Sequence, residues 1–387
     1  MRSFRIGSAF GIPIKLDLTF LLVLPLFAYL IGSQSAQIVE LLNEILGANI
    51  GDGIFVDGAV RWILGTVAAL GLFVGVLLHE LGHSLVARRY GFPIDSITLW
   101  IFGGVASFTE MPEDWRQEFA IAIAGPVVSV LVGVVCYGLF VAVPPDVGGA
   151  RFVLGYLAVL NVVLAVFNLL PAFPMDGGRI LRAILGRTRP YARATAIAAE
   201  VGKFFAVILG LVGLFSFNIL MIGIAFFVYI AASSESQQVQ MKAAFEGVTV
   251  RDVMTPADRL HTVAPETTIA ELLSRMFSER HTGYPVLEDG RPVGMVTLDD
   301  ARDVQPVERE AYTVADVMTR ELVTIPAAAD AMEAFDLLQE HDVGRLLVVD
   351  ARGDVVGLLS RTDLMTALDV VRSTDGMDPN DAGSLAD

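Results

Sequence analysis

The pentapeptide His79-Glu80-Leu81-Gly82-His83 places two imidazoles and a carboxylate at the end of an apolar run. On an α-helix, residues four apart share a face, so His79 and His83 can both offer a nitrogen to one tetrahedral zinc ion. Glu80 lies about 100° further round, off the metal but close to a bound water. Zinc lowers the pKa of such a water towards ~7, and the carboxylate takes its proton. The motif predicts zinc-dependent hydrolysis; the alternative is a polar cluster that hydrogen-bonds between helices.

Two histidines leave a zinc ion short of protein ligands, and the segment NLLPAFPMDGGRILRA, Asn168 to Ala183, offers a third. Pro171 and Pro174 cannot continue a helix, so the segment is predicted to be an unwound break at the end of a spanning helix. Such a break is tolerated at membrane depth only where protein or trapped water covers it. Asp176 within it is the candidate third ligand. The alternative is a solvated aspartate in a Pro/Gly turn.

The composition is that of a membrane protein. Of 387 residues, 54% are hydrophobic and 18% are charged, and the mean hydropathy is +0.61. Soluble chains have about a quarter of their residues charged. Apolar runs of roughly 17–25 residues predict up to six spanning helices. They lie near Leu16–Gly32, Trp62–Arg89, Arg116–Val143, Phe152–Leu170, Thr195–Phe215 and Phe217–Ile230.

Charge is distributed unevenly along the chain. Residues 247–387 contain 27 of the 43 acidic residues and 12 of the 27 basic ones, all of them arginine. So acidic a region makes nucleic acid an unlikely class of partner, and we predict none. With six spans, the basic clusters fall on one side of the membrane, which the positive-inside rule assigns to the cytoplasm. We therefore expect a multi-pass protein of the cell membrane whose N-terminus and C-terminal region are cytoplasmic.

A β-rich segment separates the second and third predicted spans. The stretch GFPIDSITLWIFGGVASFTE, Gly91 to Glu110, is rich in Ile, Thr, Leu, Trp and Phe, which favours strands over a helix. A strand with one exposed edge near a hydrolytic site could align an extended substrate by strand addition. Equally, the segment could be a β-hairpin that only shields the site.

The C-terminal third contains an internal repeat. VRDVMTPADRL…GYPVLEDGRPVGMVTLDDA is echoed by VADVMTRELV…GRLLVVDARGDVVGLLSRTDL at an offset of about 61–64 residues. The repeats resemble a pair of cystathionine-β-synthase (CBS) domains.

We predict an α-helical polytopic membrane domain with a membrane-associated β-hairpin, followed by a soluble α/β CBS pair. The expected boundaries are residues 1–230 for the membrane domain, 231–246 for a Ser/Gln-rich linker, 247–305 and 311–372 for the repeats, and 373–387 for a disordered tail.

HELGH on one spanning helix with NLLPAFPMDG on a later one resembles the site-2 protease family of intramembrane zinc metalloproteases. The resemblance implies His79, His83 and Asp176 as zinc ligands and Glu80 as the catalytic carboxylate. It implies that Asn168 holds the substrate backbone or the oxyanion, although an interhelical amide bridge is the alternative. The implied substrate is a single-span membrane protein, cleaved within or near its transmembrane segment. A small-residue motif, AGPVVS, is expected only to pack behind the site.

A CBS pair is also found on ion channels and transporters, so a CBS-regulated channel or transporter without proteolytic activity is the alternative function. In CBS domains, residues that match a hydroxyl and an aspartate three positions later bind the ribose and phosphates of a nucleotide. This implies an adenine nucleotide as a second ligand, and CBS pairs also suggest a homodimer. The alternative role for these residues is helix N-capping. The matching residues are Thr297 with Asp300 and Ser360 with Asp363, and Arg361, beside the second pair, is the candidate to neutralise a phosphate.

Overall fold

The computed structural model describes residues 3–51, 58–100, 103–108 and 112–375. The chain divides into two compact units, Met1–Val239 and Gln240–Asp387. The first unit is mainly helical and the second is α/β, which is the predicted fold class. The helices of the first unit are α1 (Phe20–Ser33), α2 (Ser35–Leu46), α3 (Gly58–Arg89), α4 (Trp115–Ala142), α5 (Gly148–Asn168), α6 (Asp176–Leu185), α7 (Tyr191–Phe215) and α8 (Ile219–Ala244).

Among the described residues, five helices are long and apolar enough to cross a membrane: α3, α4, α5, α7 and α8. Helices α1 and α2 meet the same criterion only as a pair, with a bend of 69° between them. The predicted start of the first span was wrong, because Leu16 belongs to a strand and α1 begins at Phe20. The Asp17 carboxylate accepts hydrogen bonds from the backbone and the hydroxyl of Thr19, at 3.0 and 2.8 Å, and so ends the strand where the helix begins.

A four-stranded sheet accompanies the helices, in the order β1-β2-β3-β4. The predicted hairpin is β3 paired antiparallel with β4, and β2 runs parallel to β3. The N-terminal hairpin β1-β2 was not predicted from the sequence. Phe10 and Gly11 form its turn with φ values of 51° and 81°, the left-handed geometry that two-residue hairpins favour. The strands are β1 (Ser3–Ala9), β2 (Ile12–Asp17), β3 (Ile94–Trp100) and β4 (Gly103–Phe108).

Two helix boundaries affect the functional residues. The chain is non-helical between α5 and α6, from residue 169 to 175, as the two prolines of that segment predict. At the other end of the unit, α8 does not stop at the predicted linker. It continues as one helix to Ala244, so that the Ser/Gln-rich residues lie on its last turns.

The second unit contains the two predicted repeats and two hydrophobic cores, each formed mainly by one repeat with a few residues from the other. Strand β5, from the first repeat, pairs with β10 of the second in a sheet of order β5-β10-β9-β8, and β6 pairs with β7. The last helix reaches residue 375, and the rest of the predicted tail, 376–387, lies outside the described residues. The elements are α9 (Val250–Val253), β5 (Thr255–Pro256), α10 (Ile269–Glu279), β6 (Gly283–Glu288), β7 (Arg291–Thr297), α11 (Leu298–Arg302), α12 (Val314–Val317), β8 (Thr324–Pro326), α13 (Ala331–Glu340), β9 (Arg345–Val349), β10 (Val355–Ser360) and α14 (Arg361–Asp375).

Candidate zinc site

Three potential metal ligands from two helices meet inside the helical unit. His79 Nε2, His83 Nε2 and Asp176 Oδ2 lie pairwise 3.1 Å apart. All three residues are buried. Since zinc binds nitrogen and carboxylate oxygen at about 2.0–2.2 Å, three such atoms in mutual contact can share one ion. Within the described part of the chain, these three residues form the one group of at least three His, Cys, Asp or Glu side chains whose ligand atoms are close enough to hold a metal ion.

The hydrogen bonds behind the site show that these atoms suit a cation. His83 Nδ1 lies 2.7 Å from the Ile121 carbonyl, which can only accept, so Nδ1 carries the proton. In the neutral imidazole, Nε2 then presents a lone pair towards the Asp176 carboxylate, which is also an acceptor. Lone pairs that converge without a proton between them repel each other unless a cation lies among them. The donor set therefore fits zinc.

Helix geometry places each ligand. His79 and His83 lie one turn apart on α3, so their rings project from the same face. Asp176 is the first residue of α6, directly after the non-helical segment, where its charge also suits the positive end of the helix dipole. The structure therefore brings together the three residues that the sequence motifs single out, although they come from segments far apart in the chain.

Helix α4 forms the wall behind the two histidines, as expected for the AGPVVS motif, but the sequence did not predict that it also contacts their rings. Ser129 Oγ lies 2.9 Å from His79 Nδ1, where the hydroxyl fixes the orientation of the ring. A Cβ atom at Gly125 would lie 2.2 Å from His83 Nε2 and 2.7 Å from His79 Nε2. The interpretation of AGPVVS as packing alone is therefore incomplete, because one residue bonds a ligand and the other makes room for both.

Glu80 is half-buried and faces the sheet. Strand β4 packs against it so closely that a Cβ atom at Gly104 would lie 2.4 Å from its Cγ. Gly104 pairs with Leu99 of β3, and β4 is the last strand of the sheet. The carboxylate therefore lies beside an edge strand, off the ligand cluster, as its position on the helix predicts.

Two asparagines of α5 differ in their surroundings. Asn168 ends the helix, and its amide donates to the Leu164 carbonyl at 3.0 Å. Asn161 is fully buried: its amide donates to Leu157 at 2.8 Å, and its Oδ1 has no hydrogen-bond partner among the described residues. This Oδ1 lies against Gly75, one turn before His79 on α3. Sequence reasoning missed Asn161, although an amide in the middle of an apolar span is a signal that could have identified it.

The predicted nucleotide residues form helix caps. Thr297 Oγ1 and its backbone N–H donate to Asp300 Oδ2, both at 2.7 Å, and Ser360 makes the same pair of bonds to Asp363 at 2.7 and 2.8 Å. These are the contacts expected if the four residues cap helices, which was the alternative to nucleotide binding. Arg361 bonds the carbonyls of residues 343 and 344 with its guanidinium and its backbone N–H.

Thr297 and Asp300 also line a cavity of about 520 Å³ in the second unit. Its wall includes four acidic side chains and the single cation Arg345, which bonds Thr282 Oγ1 at 2.6 Å. Burial lowers the pKa of the Arg345 guanidinium, and the Asp363 carboxylate opposes this shift. Ser360, Arg361 and Asp363 are not part of this wall.

Two histidines on the membrane helix α3, an aspartate at the start of the short helix α6 and an adjacent glutamate define a zinc metallopeptidase within a helical membrane domain. Comparison with known proteins agrees with this class. The model of peptidase family M50 matches residues 67–148 and 144–209, and the CBS domain model matches residues 250–306 and 314–370.

A zinc metalloprotease of Methanocaldococcus jannaschii, MJ0392, is 36% identical over 370 residues, which are 95% of this chain and 97% of the relative. The solved site-2 protease from the same organism is 41% identical, covers 61% of this chain and 95% of its own, and superposes with a TM-score of 0.42. The CBS protein CBSX2, solved in complex with AMP, is 32% identical and covers 32% of this chain and 98% of its own, with a TM-score of 0.29. The chain belongs to the site-2 protease family, peptidase family M50, and carries a CBS pair.

The close approach of α4 to the histidines generates a prediction. Gly125→Ala should weaken zinc binding by about tenfold or more, since the added methyl group overlaps both ligand nitrogens and has to displace at least one ring. The measurement is zinc per chain and zinc affinity by chelator competition. Gly138→Ala on the same helix is the matched control, because a Cβ there meets no atom within 4 Å. Equal zinc affinities for the two variants would contradict the described packing.

Proposed function

We propose that this protein hydrolyses peptide bonds within or near the transmembrane segment of single-span membrane proteins, with His79, His83 and Asp176 as the zinc ligands. The observation that carries the proposal is that three potential ligand atoms lie 3.1 Å from one another, buried among spanning helices. The carboxylate of Glu80 comes from the residue next to His79. An ion pathway does not need this arrangement, whereas zinc-dependent peptide hydrolysis does.

The side chains of this chain divide the chemical work. Zinc, when bound, polarises the scissile carbonyl and acidifies the attacking water. Glu80 accepts the proton of that water and returns it to the leaving amine. An amide nitrogen has two N–H donors, and Leu164 occupies one from Asn168, so the second can donate to the substrate backbone or to the oxyanion.

The edge strand beside Glu80 favours an extended substrate. A peptide bond inside a helix is covered by its own hydrogen bonds and side chains, so the substrate has to unwind before hydrolysis. Among the described strands, β4 pairs only with β3, and Gly104 brings its backbone against Glu80. We propose that an unwound substrate segment adds to β4 as a further strand, which would present its peptide bonds to the site with little demand on sequence.

The catalytic proposal predicts that the ligands and the base respond differently to substitution. His79→Ala, His83→Ala and Asp176→Ala should lose zinc together with activity. Glu80→Gln should retain zinc and lose at least about a hundredfold in kcat, because the water then has no proton acceptor. Metal analysis and cleavage of a membrane-embedded reporter would measure both. Full activity of the Glu80→Gln chain would refute the mechanism, and a channel or transporter would cleave nothing.

We also propose that the N-terminus and the CBS pair face the cytoplasm and that the protein lies in the cell membrane, since basic residues cluster at one end of the spans. In a Cys136→Ser chain, a cysteine at Arg88 or Arg189 should resist a membrane-impermeant maleimide added to intact cells. A cysteine at Asp146, in the α4–α5 loop, is predicted to react and is the positive control. The reverse labelling pattern would invert the orientation.

We propose, finally, that the cavity of the CBS pair binds an adenine nucleotide that regulates the protease. Its wall contains Thr297 and Asp300, where a carboxylate can accept hydrogen bonds from a ribose diol, and it contains the guanidinium of Arg345 for a phosphate. The other charged residues of the wall, Asp299, Glu321 and Asp342, are acidic and oppose a polyanion. We therefore expect adenosine monophosphate, or a polyphosphate with its divalent cation, in preference to free triphosphate.

Calorimetry on the full-length chain would test nucleotide binding. Asp300→Ala should weaken adenosine monophosphate binding by about tenfold or more, the loss expected for one hydrogen bond to a charged group. Asp316→Ala is the matched control, because Asp316 makes the same capping bonds to Thr313, at 2.8 Å, and does not line the cavity. Equal affinities for the two variants, or no binding by the wild-type chain, would leave Asp300 with capping as its role.

A further inference from the structure

A buried ion cluster lies away from the zinc ligands, on the helix that carries one of them. Arg182 of α6 is 1% exposed. Its Nε and Nη2 contact Glu118 Oε1 of α4 at 2.7 and 2.6 Å, and its Nη1 donates to Glu235 Oε1 of α8 at 2.7 Å. One guanidinium thus ties three helices together, and the planar fork of arginine is suited to two carboxylates at once.

Arg182 also touches the segment that presents the zinc ligand. Its guanidinium lies 5.1 Å from the ring centroid of Phe173 and 4.7 Å from that of Tyr191. Phe173 is buried in the non-helical segment, three residues before Asp176. Asp176 is therefore bracketed: Phe173 precedes it, Arg182 follows it on α6, and the two bracketing side chains pack on each other.

The anchor for Arg182 belongs to the same face that holds the histidines. Along α4, residues 118, 121, 125 and 129 follow a spacing that keeps them on one side of a helix. Ile121 bonds His83 and Ser129 bonds His79, while Glu118 bonds Arg182. One surface of α4 thus sets the position of the histidines directly, and that of Asp176 through Arg182.

The second carboxylate comes from the segment that leads to the CBS pair. Glu235 lies within the Ser/Gln-rich stretch predicted as a linker, but α8 runs through it without interruption to Ala244. Met241 and Ala244, at the end of the same helix, pack against the hydrophobic core of the second repeat. Glu235 and the residues that pack on this core therefore belong to one helix.

The two carboxylates differ in accessibility. The Glu118 side chain is 7% exposed, whereas that of Glu235 is 30% exposed. If Glu235 withdraws into water, Arg182 keeps a buried neutral pair with Glu118, so withdrawal leaves no buried charge without a partner. The contact of Glu235 is thus the one that can be made and broken while the fold persists.

We propose that Arg182 is a positioning residue for Asp176, and that Glu235 makes this position depend on the helix that enters the CBS pair. The proposal rests on the assignment of Asp176 as a zinc ligand. With Glu235 in place, α6 is held on two sides and Asp176 stays against the histidines. Without it, α6 is held by Glu118 alone and the ligand position is less fixed.

The test uses the full-length chain with Glu235→Gln, and Glu200→Gln as matched control. Glu200 pairs with Lys203 on α7 and its side chain is 72% exposed, so the control removes the same charge and one ion pair. Glu235→Gln should weaken zinc affinity about three- to tenfold and lower kcat with KM unchanged, the range of a modest coupling energy. Glu200→Gln should stay within about twofold of wild type. Any effect of adenosine monophosphate on kcat in the wild-type chain should be absent in Glu235→Gln, with its binding retained.

Equal zinc affinity and kcat for the Glu235→Gln and Glu200→Gln chains would overturn the proposal. Arg182→Lys provides a second variant that keeps the charge but cannot bridge both carboxylates, and it should reproduce the Glu235→Gln effect. An Asp176→Ala chain gives the zinc-free baseline. A wild-type chain that binds no more zinc than this baseline would refute the zinc site itself, and calorimetry on the wild-type chain tests nucleotide binding separately.

Discussion

The structure depends on holding three lone-pair atoms, two imidazole nitrogens and a carboxylate oxygen, within 3.1 Å of each other in a buried place. Without a cation the arrangement is repulsive, so the surrounding helices have to impose it. Helix α4 does most of this through one face: Ser129 orients His79, the Ile121 carbonyl orients His83, and Gly125 lets the helix approach both rings. Helix α4 thus sets the geometry of the three candidate ligands.

The same constraint explains why the third ligand follows a break in the helices. The non-helical residues 169–175 allow the chain to turn, and α6 then starts with Asp176. Such a turn is weak by itself, and the buried contacts of Arg182 with Phe173 and Glu118 give it a fixed place in the protein.

The sequence predicts the parts of the site that follow from helical periodicity and from chain breakers. His79 and His83 share a face because of their spacing, and two prolines mark the turn before Asp176. It does not predict what depends on the register between helices. The roles of Ser129 and Gly125 arise from the way α4 packs on α3. The composition around Glu235 suggested a linker, whereas Glu235 lies on the continuous helix α8 and contacts Arg182. The N-terminal hairpin was missed because its strands run into the apolar start of α1.

The central claim is that two imidazoles and one carboxylate of this chain hold a single zinc ion. X-ray absorption at the zinc edge of the full-length, zinc-loaded protein measures this coordination most directly. The account predicts a four-coordinate ion with two imidazole nitrogens and oxygen in the remaining positions at about 2.0–2.2 Å, and the loss of the bound zinc in His83→Ala. A six-coordinate spectrum without imidazole, or one unchanged by His83→Ala, would contradict it.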